Sequence, residues 1–218
     1  MVIITDFGIQ IGSHSRNLAL TRRLCMKIYY ATSNKGKVHL LKTLLDPYGI
    51  EIVQLELELP EPRSYDLKEI ATHKVLTAFN HIKAPVIAQD AGFYILSLNG
   101  FPRTFTNFVL ATIGIKGILK LVEGEDRRCE FKNCLAYYDG ELEKPVLFES
   151  VASGSLATAQ RGEMKDYFWS ALSLFFIPDG KSQTLAEMPP DEYWEWRKKR
   201  YNSSFTKPFI DWLLQNKS

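Results

Sequence analysis

The sequence is poor in the features that mark membranes, disulfide scaffolds and common metal sites. No apolar run approaches the length of about 18 residues that a membrane-spanning helix requires. Its three cysteines, Cys25, Cys129 and Cys134, cannot all pair, and no Cys-x-x-Cys spacing points to zinc or redox work. A reducing cytoplasmic compartment is the simplest fit. The four histidines, His14, His39, His73 and His81, form no His-Glu-x-x-His pattern. Charge of one sign is also scarce, with 27 Lys and Arg against 25 Asp and Glu for a formal net charge of +2. The nearest basic cluster, Arg197-Lys198-Lys199-Arg200, reads as a solvated helix end, and no nucleic-acid or membrane partner is expected. Internal repeats, low-complexity tracts and linkers are absent.

What remains is an ordinary globular composition. The 218 residues, 45% hydrophobic and 24% charged, suffice for a full core in one domain or one with a lobe. Residues 1–25 stand apart. Arg16, Arg22 and Arg23 against Asp6 allow a mitochondrial-type targeting segment, but Gly12-Ser13-His14-Ser15 breaks the apolar pattern. Met26, directly before the first good strand, points instead to an upstream start or a short added arm. We therefore expect residues 1–26 to be an N-terminal extension and 27–218 a single domain.

From Lys27 onward strand and helix patterns alternate. Lys27 to Ala31 reads as a strand, followed by the cap-forming Thr32-Ser33-Asn34 and a helix with Val38, Leu41, Leu44 and Leu45 on one face, ending near Asp46-Pro47. Residues 50–59 alternate as a half-exposed strand. A helix over about 66–82 has Leu67, Ile70, Ala71, Val75, Ala78 and Ile82 in its apolar arc, and Lys74 falls inside that arc, where it needs an anion or an exit to water. Val86-Ile87-Ala88 predicts a short buried strand that delivers Asp90 to a sharp turn at Ala91-Gly92, with a second turn over Leu98 to Pro102. Asp90 either caps that turn or does the ligand and metal chemistry that open α/β sheets place at strand carboxyl ends. Residues 107–123 read as a helix, and 130–138 and 142–153 as two strands joined by a hairpin at Asp139-Gly140. Strand pattern continues over 155–159 and 168–177, and helices over 190–200 and 205–215 close the chain. The whole predicts a mixed α/β fold.

Two local patterns carry chemistry. Thr32 to Lys37 places hydroxyl and amide side chains, two lysines and free backbone N–H groups at a helix N-terminus, which suits phosphate, although the same residues also make a plain cap; the spacing is not that of a Walker loop. Glu69, Asp90 and Lys74 could serve a divalent cation on a polyphosphate, an acid near it taking a proton from attacking water. Taken singly, Glu69 is also an ordinary surface acid of a first helical turn, and Lys74 could snorkel from the core edge.

In this order the residues resemble the inosine triphosphate pyrophosphatase family. Ala31 to Lys37 is similar to its Thr-x-Asn-x-x-Lys signature, and Asp90-Ala91-Gly92 with Leu98-Asn99-Gly100-Phe101-Pro102 to its Asp-Ser-Gly-Leu and Leu-x-Gly-x-Pro-Gly block. Phe148 to Gly154, Arg161-Gly162 and Pro178 to Met188 resemble later segments, so the likeness spans residue 27 to about 215. It implies an elongated mixed sheet with flanking helices, two lobes and a central cleft, usually in a homodimer. It implies hydrolysis of ITP, dITP and XTP to the monophosphate and pyrophosphate, with Mg²⁺ as cofactor. Thr32, Asn34, Lys37 and Lys74 would hold the triphosphate; Glu69 and Asp90 would serve the metal, Asp90 also as general base. Ala91, Tyr167, Trp169, Lys199 and Ser204 would occupy further substrate-contacting positions.

The departures gather at the base-recognition end. The family's Ser-His-Arg aligns with Ser203-Ser204-Phe205, and its Phe-Gly-Tyr/Trp-Asp-Pro with Tyr167-Phe168-Trp169-Ser170-Ala171. Gln89 stands where an acid is common, Ala91 where Ser or Thr is, and Arg103 where Gly follows the proline. These differences leave open a pyrophosphatase with altered base preference, or a nucleotide-binding module with weak or lost catalysis.

Overall fold

The computed structural model describes residues 25–60, 62–168 and 170–217. Most of the expected N-terminal extension, and Trp169, therefore lie outside the described residues.

The first unit is a strand–helix–strand crossover. β1 (Met26–Ala31) and β2 (Ile50–Leu55) pair in parallel through the crossover helix α1 (Lys35–Leu45). Val38, Leu41 and Leu45 form its buried stripe, each contributing on the order of 1.5–3 kcal/mol by leaving water. The helix stops as Asp46-Pro47 tightens into a 3₁₀ turn and Gly49 takes φ +72°. β2 ends at Leu55, short of the strand expected to 59.

α2 (Leu67–Ile82) follows, capped by Asp66, whose carboxylate accepts from Lys68 N at 2.8 Å. Of its buried residues, Leu67, Ala71, Val75 and Ala78 pack with Ala31, Ala88 and Cys134 of the sheet.

β3 (Val86–Ile95) is the spine of the molecule. The turn expected at Ala91-Gly92 is absent, because β5 (Arg128–Tyr138) pairs antiparallel with β3 along its whole length, Val86↔Tyr138 to Ile95↔Cys129. On its other edge β3 changes partner. Residues 86–88 pair in parallel with the end of β1, whereas Phe93 and Tyr94 pair with the two-residue β4 (Pro102–Arg103). Between them, residues 89–92 have no strand alongside among the described residues. Gly92 is required here, since a Cβ would lie 2.8 Å from the carbonyl oxygen of Arg103. The expected second turn is present, with Asn99, Gly100 and Arg103 at positive φ.

The single helix expected over 107–123 is two, α3 (Thr106–Thr112) and α4 (Gly114–Leu121), broken where Gly114 adopts φ +65°. β5 continues into β6 (Val146–Leu156), the connection running over 139–145 rather than a tight two-residue turn. Most of the strand expected over 168–177 is a 3₁₀ turn, Ala171–Leu174, and only β7 (Phe176–Pro178) joins the sheet. α5 (Pro190–Lys199) and α6 (Thr206–Asn216) finish the chain. The result is a seven-stranded mixed sheet, β2-β1-β3-β5-β6-β7 with β4 on β3, carrying three buried clusters. Cys129 and Cys134 are buried on β5, and no helix among the described residues is long and apolar enough to cross a membrane.

Candidate active site

The change of partner along β3 opens the site. Where β1 has ended and β4 has not begun, a cleft of about 390 Å³ reaches over the uncovered edge of residues 89–92. Thr32, Ser33, Asn34 and Lys37 form one wall, Asp90 and Lys74 another, and Thr104, Thr106 and Asn107 a third.

The first wall is the start of α1. Asn34 is its N-cap, accepting from Lys37 N at 3.0 Å, and Asn34 N donates to the Thr32 hydroxyl at 3.2 Å. No acid lies in the first turn, yet Lys35 and Lys37 do. Positive side chains at the positive end of a helix are unfavourable until an anion arrives. At α2, by contrast, Asp66 and Glu69 already neutralise that end.

Lys74 lies within the apolar arc of α2, as expected, and finds its anion in Asp90: Nζ and Oδ1 are 3.4 Å apart, with side chains 13% and 14% exposed. A partly buried pair of this kind is stabilised by further contacts, and each of the two groups has interactions beyond the pair. Alternation along β3 turns Asp90 to the α2 face and Gln89 to the opposite one, and the cleft touches both because the edge between them is bare.

Other expected residues are not brought together with this group. Glu69 is exposed, its carboxylate accepting from the Ser64 hydroxyl at 2.6 Å, and it does not line the cleft. No cluster of three or more His, Cys, Asp and Glu that could hold a metal exists among the described residues. Tyr167 packs into an aromatic cluster with Phe168, Tyr193 and Trp194, at ring distances of 4.7, 5.2 and 5.7 Å. Lys199, 81% exposed, pairs loosely with Glu195 at 3.8 Å. The Ser204 hydroxyl accepts from Thr206 N at 3.2 Å at the start of α6, and Phe205 packs against the core. Ala91 lines the cleft. Arg200 departs from the expected solvated helix end: its guanidinium donates to Val151 O at 3.0 Å and covers Trp196.

Sequence reasoning missed Leu57, Leu59, Thr104, Thr106 and Asn107 as cleft residues. The hydroxyl and amide run Thr104-Phe105-Thr106-Asn107 after the Pro102 turn was the available signal. For the two leucines none existed, because they lie beyond the end of β2.

The family model described as the Ham1 family matches residues 28–200. The chain belongs to the Ham1 family. Among curated relatives, a dITP/XTP pyrophosphatase of Pyrococcus horikoshii is 36% identical over 193 residues, covering 88% of this chain and 98% of that one. One of Methanopyrus kandleri is 36% identical over 192 residues, with the same two coverages. Among solved structures, a HAM1 protein from Coxiella burnetii shares the fold with a TM-score of 0.71 at 21% identity, covering 87% of this chain and 97% of that one. A nucleoside-triphosphatase / dITP/XTP pyrophosphatase from Mycobacterium abscessus does so with a TM-score of 0.66 at 24% identity over 80% of this chain and 95% of that one. As a Ham1 family member the chain bears out the sequence resemblance in both family and fold.

Proposed function

We propose that this chain, as one domain over 27–218, is a nucleoside triphosphate pyrophosphatase that removes non-canonical purine nucleotides, ITP, dITP and XTP, from the nucleotide pool. The observation that supports this most is the Lys74–Asp90 pair at 3.4 Å in the same cleft as the acid-free N-terminus of α1. The names of the relatives, dITP/XTP pyrophosphatases, point the same way.

In this reading Thr32, Asn34, Lys37 and the N-terminus of α1 hold the triphosphate, and Lys74 turns from Asp90 to share a phosphoryl oxygen. Asp90 takes a proton from a water that attacks the α-phosphorus. The new bond forms between that oxygen and the α-phosphorus, the bond to the α,β-bridging oxygen breaks, and pyrophosphate leaves with the monophosphate as the other product. Positioning and charge stabilisation supply most of the acceleration in phosphoryl transfer, so these groups suffice in kind.

The donor set fits Mg²⁺ carried in with the substrate, because a hard cation on polyphosphate takes one or two carboxylates beside phosphate and water. Asp90 would be its ligand in the cleft, with Glu69 joining once released from Ser64. The ion would neutralise triphosphate charge. We further propose a homodimer in the cytoplasm, on the family likeness and on three free thiols, two of them buried.

A second reading, the same reaction with altered base preference, is favoured by Ser204 and Phe205. The one hydroxyl begins α6 and the other side chain packs on the core, so neither supplies the paired donors expected of Ser-His-Arg. Pyrophosphate release from ITP, XTP, dITP, ATP, GTP, CTP and dUTP, with Asp90→Asn alongside, tests both. Release lost in the variant supports the hydrolase, and strict dITP and XTP preference would sink the altered-base reading.

A further inference from the structure

Gln89 lines the cleft one residue from Asp90, and its carboxamide is held from both sides. Tyr30 on β1 is completely buried, and its hydroxyl donates to Gln89 Oε1 at 2.6 Å. Gln89 Nε2 in turn donates to Asn133 Oδ1, on β5, at 3.0 Å. The three residues share one face of the sheet, since Tyr30 is opposite Ile87 and Asn133 opposite Ala91 in the ladders. A buried phenol must find an acceptor, which fixes Oε1 toward Tyr30. With Asn133 oriented as it stands, a flipped Gln89 amide would face Oε1 against Asn133 Oδ1, two acceptors with no proton between them. The amide nitrogen carries two hydrogens and Asn133 takes one, while the residue itself lines the cleft.

We propose that Gln89 is a fixed hydrogen-bond donor to a phosphoryl oxygen of the bound nucleotide, aimed by Tyr30 and Asn133. An acid at this position would accept from Tyr30 equally well but would set a second negative charge beside Asp90, against the triphosphate. With Gln89 the wall is neutral and donating, and Asp90 is the single acid among the described lining residues. Substrate would then meet lysines, helix N–H groups and an amide N–H from three sides. This rests on the pyrophosphatase reading of the same cleft.

Binding of inorganic tripolyphosphate to the full chain, measured by calorimetry in EDTA, reads the donor without metal or turnover. Gln89→Leu should weaken binding about tenfold and Gln89→Glu further, because a bond to a charged acceptor is lost and in the second case replaced by repulsion. Tyr30→Phe, which keeps Gln89 but frees it to turn, should weaken binding several-fold, whereas a role for Tyr30 in packing alone would lower the melting temperature and leave affinity unchanged. Thermal melts of all three variants show that they are folded. Binding within twofold of wild type in both Gln89 variants, tighter binding by Gln89→Glu, or no binding by the wild type would each overturn the proposal. Pyrophosphate release separates the two readings: Gln89-dependent binding without release leaves the donor standing and removes the pyrophosphatase, and release unaffected in the Gln89 variants does the reverse.

Discussion

The two ends of the nucleotide's expected path are built differently. At the phosphate end, residues from β1, α1, α2 and β3 converge on one cleft, and each owes its place to a local device: a helix cap at Asn34, an apolar arc around Lys74, strand alternation at Asp90. At the base end, the candidates Tyr167, Lys199 and Ser204 are dispersed among an aromatic cluster, the exposed end of α5 and the turn that leads into α6. The cleft side chains are thus each set by a local device and gathered by the central strands, whereas the base-end candidates depend on how the last third of the chain lies on the sheet. A family can keep the first and rebuild the second, because their supports are separate.

The comparison is broken most severely at Asp90. Asp90→Asn should reduce pyrophosphate release by roughly 10²–10⁴-fold, the usual contribution of a general base, while tripolyphosphate binding persists. Equal turnover by the variant would remove Asp90 from the reaction. Next comes Lys74→Met, which keeps the apolar stem and removes the charge; kcat/KM should fall by about 10–100-fold, and the loss should appear in tripolyphosphate affinity as well. At the other end, Lys199→Ala should change kcat/KM by no more than about twofold, as expected of an exposed charge with one loose partner. A tenfold rise in KM would show instead that α5 closes on the base.

The smallest effect concerns stability away from both ends. Lys217, beyond α6, pairs with Asp139 at the end of β5 and with Glu141. Burial pushes the Asp139 carboxyl up, but the bonds from Lys217 and from the N–H groups of Glu141 and Leu142 outweigh it and hold the group below its ordinary value. A depressed carboxyl contributes stability above its unfolded pKa and loses it as the pH falls through the folded one. Lys217 is shifted upward by the same partners, so its contribution is present at neutral pH and lost only in strong base. Lys217→Ala should therefore cost about 1–2 kcal/mol at pH 7 and almost nothing near pH 2, as measured by denaturant melts. The same loss at both pH values would remove the ion pair as its cause.

Much of this was legible in the sequence. α1 and α2 follow from their 3.6-residue apolar spacing and cap residues, β1 and β5 from β-branched and aromatic runs, and the Lys74 anomaly from its position in an apolar arc. The errors are equally physical. Ala91-Gly92 resembles a turn until β5 supplies a partner for ten consecutive residues of β3, which outweighs the local freedom of the glycine. The 107–123 helix breaks because Gly114 takes a left-handed conformation that a pattern of apolar residues does not register. Glu69 sits early in α2 as expected, and its contact with Ser64 is one that helical spacing does not register.

What the sequence determined by itself was the set of local structures and the family: caps, apolar stripes and the ordered motifs from Thr32 to Met188. The tertiary structure alone decided where those pieces meet. The cleft exists because β1 ends opposite Ala88 and β4 begins opposite Tyr94 and Phe93, leaving a bare strand edge between them, and the Tyr30–Gln89–Asn133 chain exists because three strands distant in sequence share one face there. Strand pairing is non-local, so its register and its gaps are set by the whole sheet and cannot be read from any one segment.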